Sequence, residues 1–169
     1  MQTSSTKETA PINAMDAAIC TITQDIDPNV LDIGIVKEIA HPADHFNAMV
    51  QKRGRTTKLT QNGQIVSVNT SSIAIDYGSK GGAPAAYAII SPCFMIWSTD
   101  GQPFVQGGDS GSLIFLQEKG HFLDMFPVVG LLFGESVGTP GPAGHYTALA
   151  SDIKSVFDAL NLDTGYRTL

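Results

Sequence analysis

Ser110 lies in Gln106-Gly107-Gly108-Asp109-Ser110-Gly111-Ser112, a hydroxyl set between glycines. A serine oxygen attacks an acyl carbon only when a base takes its proton and the developing oxyanion meets fixed donors. Glycines at 108 and 111 permit a sharp turn through conformations that a Cβ penalises, so the N–H groups of Gly108 and Ser110 can converge on one small pocket. The chemistry this pattern could do is acyl transfer. A Gly-Asp-Ser-Gly run is also ordinary turn composition, so the elements on either side have to decide between the two.

Those elements read as strands and one helix. Leu113-Ile114-Phe115-Leu116 predicts a strand leaving the serine, and the apolar run over 126–134 predicts a second. With Ser151 as N-cap, Ile153, Val156, Phe157 and Leu160 fall at i, i+3, i+4 and i+7, which predicts a helix over 151–160. Upstream, strand-like residues approach Asn62-Gly63, a dipeptide suited to positive φ, and 64–68 leave with alternation, the pattern of a hairpin. Further strands are expected over 73–77 and 86–97, joined by a glycine-rich loop. Glycine and proline are spread along the chain, which fits strands and turns better than a helical bundle. The 169 residues, 43% hydrophobic, suffice for one good core.

In order and spacing these segments resemble the trypsin/chymotrypsin-like serine proteases of bacterial and fungal type. The loop around Ser110 resembles their nucleophile loop, and 126–134 the strand lining their substrate cleft. Gly144-His145-Tyr146-Thr147 is similar to the family's Gly-Val-Tyr-Thr strand, 49–65 to the segment that opens the second barrel, and 151–160 to the C-terminal helix. The resemblance implies an all-β fold: a chymotrypsin-like antiparallel β-barrel, with a near-complete C-terminal barrel over 49–162 including the α-helix. Residues 12–48 would be a partial N-terminal barrel and linker, and 1–11 and 163–169 tails.

It also implies roles. Ser110 would be the nucleophile, Gly108 and Ser110 the oxyanion hole, and Asp109 an internal ion-pair or hydrogen-bond partner that steadies the loop. Leu132, Phe133 and Gly134 stand where the family's backbone pairs with an extended peptide. Phe104, six residues before Ser110, takes the place of the pocket-floor carboxylate of trypsin-like enzymes. This implies a shallow or apolar pocket lined by Phe104, Gly134 and Gly144, with His145 near its wall, suited to small or hydrophobic side chains. Asp16, in Asn13-Ala14-Met15-Asp16-Ala17-Ala18-Ile19, resembles the triad aspartate, at close to the family's interval of roughly ninety residues from the serine. Asp32 is a rival with a similar local pattern nearer the serine; a lone aspartate more commonly caps or turns.

The chain departs from the family in its histidines. The family's order is His, Asp, Ser, and no histidine precedes either aspartate; the four present are His41, His45, His121 and His145. His41 and His45 fall in the connection between barrels as loop histidines, without a third ligand to make a metal site. His121 reads as a turn residue. The resemblance therefore implies a serine endopeptidase domain that is poorly active alone and takes its base from outside the chain, for instance from a missing N-terminal barrel segment in trans. A truncated gene product, a complemented fragment and a non-catalytic pseudo-protease that binds peptides or proteins all stay open. The partner is a polypeptide substrate or peptide ligand, and no cofactor or metal is expected.

A net charge of −6 argues against nucleic acid and anionic membrane as partners. The basic cluster of Lys52, Arg53, Arg55 and Lys58 reads as a solvated strand face. No apolar run reaches transmembrane length. Cys20 and Cys93 stand in apolar, strand-like contexts and read as buried thiols, with a bridge between them left open. Two cysteines and no signal peptide do not support secretion; a cytoplasmic location is expected if the chain is complete, and secretion is open if upstream sequence is missing.

Overall fold

The computed structural model describes residues 1–18, 29–36, 38–72, 74–76, 84–118, 125–135 and 146–162, and the backbone of 167–168. The first strands are β1 (Ile12–Asn13), β2 (Asn29–Val30), β3 (Gly34–Ile35) and β4 (Glu38–Ile39), followed by a 3-10 turn at Pro42–His45. Then come β5 (Met49–Gly54), β6 (Lys58–Thr70), β7 (Ile75–Asp76), β8 (Tyr87–Ile90), β9 (Cys93–Ser98) and β10 (Leu113–Leu116). The chain ends in β11 (Val128–Glu135), β12 (Thr147–Asp152), helix α1 (Ile153–Ala159) and β13 (Arg167–Thr168).

Six strands close on themselves. β10, β5, β6, β9, β12 and β11 are neighbours in that order, and β10 pairs again with β11, every contact antiparallel. Closure gives every strand of the ring a neighbour on both sides over part of its length. This is the antiparallel barrel with a C-terminal helix that the sequence predicts.

β10 is apolar throughout, and β11 from Val128 to Phe133, because both faces of these stretches are covered. On β10, Ile114 and Leu116 point into the barrel core with Val50, Ile65, Phe94 and Ile96, while Leu113 and Phe115 point outward against Ile153 and Phe157 of α1. β11 divides in the same way, Val129 and Leu132 inward and Val128 and Leu131 toward the helix. Burying one such side chain contributes about 2 kcal/mol, so the two-sided burial fixes the register of both strands next to Ser110.

Two local expectations are corrected. Asn62-Gly63 makes no turn: β6 runs unbroken through it, and the chain reverses at 55–57, with Gly54 paired to Lys58. Gly63 is buried, and a Cβ there would stand 2.6 Å from Phe104, 2.8 Å from Val50 and 2.9 Å from Ile96; the glycine is required by close packing. Nor does Ser151 cap the helix. It stays in β12, buried opposite Leu131, and Asp152 takes the cap, its Oδ1 accepting the Lys154 N–H at 3.0 Å. The predicted strand over 86–97 divides at Ser91-Pro92 into β8 and β9. β8 leaves the barrel for a three-stranded sheet ordered β1-β8-β7, with β1 parallel to β8. Ser4 pairs with Tyr87 at the end of that sheet. β4 adds to the barrel in parallel at Val128, and Ile33 and Ile39 join the core beneath α1. No helix among the described residues is long and apolar enough to cross a membrane.

Candidate active site

The serine loop joins β10 at one end and is tied down on both sides of Ser110. Gly108 has φ 98° and Gly111 φ 87°, the left-handed region that favours glycine. On the C-terminal side the Gly111 N–H donates to the Leu132 carbonyl at 2.8 Å, and the Leu132 N–H to the Ser112 carbonyl at 2.9 Å. The Ser112 hydroxyl and N–H both donate to the Asp109 carbonyl, at 2.6 and 3.1 Å. Between these ties Ser110 is exposed, as is Gly108. Among the described residues nothing accepts a hydrogen bond from the N–H of Gly108 or of Ser110, so both donors remain available to a ligand.

Beneath the serine, Asp109 and Lys52 form an ion pair with both side chains wholly inaccessible, Nζ to Oδ2 3.1 Å. Lys52 is the main correction to the sequence reading: it belongs to no solvated face. Its ammonium also donates to the Thr57 hydroxyl at 2.5 Å and sits 5.5 Å from the centre of the Phe104 ring. Four more donors reach the same carboxylate. Thr56 N–H and Thr57 N–H bond Oδ1 at 2.7 and 3.2 Å, and the Thr57 hydroxyl and Gln106 N–H bond Oδ2 at 2.8 and 3.2 Å. Gly54 makes the approach possible, since a Cβ there would stand 2.3 Å from Asp109 Oδ1.

Burial pushes the Asp109 carboxyl up, but the Thr57 hydroxyl, the Thr56 N–H, Lys52 and the Thr57 N–H outweigh it and hold the group at about 2. Burial pulls Lys52 below the ordinary lysine range, against the hydrogen bond and charge of Asp109. The two partners thus point in opposite directions on whether the ionised pair is favoured. We read it as ionised because so many donors converge on one carboxylate. A carboxyl held below its ordinary 3.8 stabilises the fold above that pH and loses its contribution as pH falls toward 2. Urea midpoints followed downward from pH 5 should therefore drop between about pH 4 and pH 2, by about 2 kcal/mol from this group. A Lys52→Met, Asp109→Asn protein should lack that component of the drop.

No protein family and no curated protein matches the sequence. Solved structures do match its fold. The crystal structure of Cellulomonas bogoriensis chymotrypsin is similar at 17% identity and TM-score 0.48, covering 77% of this chain, which spans 56% of that one.

The other predicted site residues are placed as follows. Leu132 and Phe133 are buried; Gly134 is partly exposed, with open space where its Cβ would stand. The pairing of β11 toward the serine loop ends at Leu132, while its β12 side continues to Glu135. Among the described residues, 133–135 therefore present one side as an open strand edge beside Ser110. Phe104 is fully buried in the barrel core. Gly144, His145, His121 and Cys20 lie outside the described residues, and Cys93 is a buried free thiol whose titration burial pushes up to about 11. Asp16 is half-buried just beyond β1, in the part of the chain that carries the small sheet. Asp32 holds the turn between β2 and β3 at φ 67°, with Oδ2 2.7 Å from Arg53 Nη1.

His41 pairs through Nδ1 with Asp152 Oδ2 at 3.0 Å, beside the Ser155 hydroxyl at 3.2 Å. It is thereby engaged at the start of α1, and among the described residues no imidazole is hydrogen-bonded to Ser110. Lys52, Thr56, Thr57 and Arg55 were not singled out from the sequence as site residues. Nothing near Lys52 in the sequence marks it, since Arg53 beside it is a second cation on β5; only the observed barrel shows Val50, Gln51 and Lys52 as buried positions. An open groove of about 410 Å³ runs along Thr60, Asn62, Asp100 and Gln102, and meets the loop only through Thr57.

Proposed function

We propose that this chain is the nucleophile-bearing barrel of a serine endopeptidase of trypsin-like type. In this reading Ser110 attacks a peptide carbonyl, and the N–H groups of Gly108 and Ser110 receive the oxyanion. The observation that carries it is the support under the loop: an ordinary surface turn has no call for a buried ammonium and five donors on its aspartate. The exposed hydroxyl and the two available N–H donors sit above that support.

The acyl half of the peptide adds as a strand along 133–135. Gly134 has open space where a side chain would stand, which supports a small or hydrophobic residue before the cleaved bond; Phe104 is buried in the barrel core, and the pocket roles expected of Gly144 and His145 fall on residues outside the described ones. A base takes the Ser110 proton as the tetrahedral adduct forms, returns it to the leaving amine, and then activates water to release the acyl group. That base comes from outside the described residues, oriented by a carboxylate for which Asp16 is the first choice; Asp32 is already bonded to Arg53. A second reading, a non-catalytic module that binds peptides along the same edge, is favoured by the engagement of His41 with Asp152.

A fluorescent fluorophosphonate separates the two. The endopeptidase reading expects slow labelling at Ser110, faster labelling on adding imidazole as an external base, and none in Ser110→Ala. Folded protein that stays unlabelled under both conditions would sink the endopeptidase reading and favour the binding module.

A further inference from the structure

Two cations stand at the rim of the serine loop with no acidic partner among the described residues. Arg55 is exposed in the turn between β5 and β6, and its Nη2 and Nε lie 3.2 and 3.5 Å from where a Cβ on Gly108 would stand. Lys58, also exposed, donates from Nζ to the Arg55 carbonyl at 2.8 Å. The other cations of this hairpin are engaged, Lys52 with Asp109 and Arg53 with Asp32. The turn is held in place, because Thr56 bonds the Gly107 carbonyl through its hydroxyl at 2.9 Å and Asp109 through its N–H. The backbone of the turn is fixed, so on a chain of net charge −6 an exposed guanidinium lies beside Gly108, one of the proposed oxyanion donors.

The two sides of Ser110 give that space a direction. Gly111 and Ser112 are tied to β11, while Gly107 and Gly108 are packed on Thr56 and Arg55. A peptide with its carbonyl at Ser110 and its acyl half along 133–135 leaves Ser110 on the other side, across Gly108. At about 3.3 Å per extended residue, the first or second residue beyond the cleaved bond comes within reach of Arg55. We infer that Arg55, with Lys58 beside it, selects peptides carrying a carboxylate side chain one or two residues beyond the scissile bond on the leaving side. A planar guanidinium can bind a carboxylate through two parallel N–H donors, which gives the preference geometry as well as charge. The inference rests on the peptide cleft proposed above.

The test uses isotope-labelled Ser110→Ala protein, which cannot turn over, and two peptides: acetyl-Ala-Ala-Ala-Phe-Ala-Glu-Ala-amide and the same peptide with Gln in place of Glu. Both are expected to shift the amide signals of Gly108 and 133–135, with the Glu peptide binding about fivefold tighter at low salt. The ratio should shrink toward one at roughly 0.5 M salt. Adding Arg55→Gln should equalise the two affinities with the melting temperature unchanged, and Arg55→Lys should keep part of the preference. Equal binding of both peptides at the cleft, or a preference that survives Arg55→Gln, overturns the role of Arg55 and leaves the cleft standing. If neither peptide shifts 133–135, the cleft itself is wrong and the inference fails with it.

Discussion

Asp109→Ala is expected to lower the unfolding free energy by about 3–5 kcal/mol, the range for breaking a buried pair from one side. The loss is asymmetric between the partners. Removing the carboxylate leaves the Lys52 ammonium buried with Thr57 alone, and strands the N–H groups of Thr56, Thr57 and Gln106 as well. Removing the ammonium leaves Asp109 with its other four donors, so Lys52→Met should cost only about 2 kcal/mol. Urea unfolding of the two variants measures the difference, and equal losses would sink the idea that the turn at 55–57 shares the carboxylate with Lys52. Where Asp109→Ala still folds, its Ser110 should label with the fluorophosphonate more slowly than the folded fraction accounts for, because the loop has lost its floor.

The second large effect is Gly63→Asn. In a tight hairpin turn asparagine is a mild replacement for glycine, since it tolerates positive φ. Here the position is buried strand, and the new side chain would begin 2.6 Å from Phe104 and 2.8 Å from Val50. Overpacking and an unpaired amide together should cost about 3 kcal/mol or more. Gly134→Asn, at a position with open space, is the matched control. A Gly63→Asn protein as stable as the wild type would contradict the packing.

Gly63 also shows where sequence stops being informative. Its neighbour Asn62 made a turn the economical local reading, but three side chains from three other elements decide the position: Val50 on β5, Ile96 on β9 and Phe104 before the serine loop. The strands around Ser110 were legible because an apolar run covered on both faces announces itself in composition. The α1 residues were legible from their helical spacing, though Ser151 and Asp152 are both good caps and only the β12 ladder assigns Ser151 to the sheet. The loop glycines and Ser110 could be read as an acyl-transfer pattern directly. What holds them could not, since Lys52 and Asp109 are 57 positions apart and nothing local marks a buried lysine. The partnerships of Arg53 with Asp32 and of His41 with Asp152 are non-local in the same way.

The barrel closes where β10 meets β11, and the serine loop runs straight into β10 with Gly111 and Ser112 continuing that seam onto Leu132. Sealing the seam and shaping the N–H donors of the serine loop are therefore one event in folding, and it follows the β5–β6 hairpin, because Leu113 and Leu131 lie 18 positions apart where Gly54 and Lys58 lie 4 apart, and the wider loop costs more closure entropy. A chain that has collapsed without zipping this seam would have most of its core and no site, which makes the site a sensor of complete folding. In pulse-labelled hydrogen exchange during refolding, the Gly111 and Leu132 amides should become protected after those of β5 and β6.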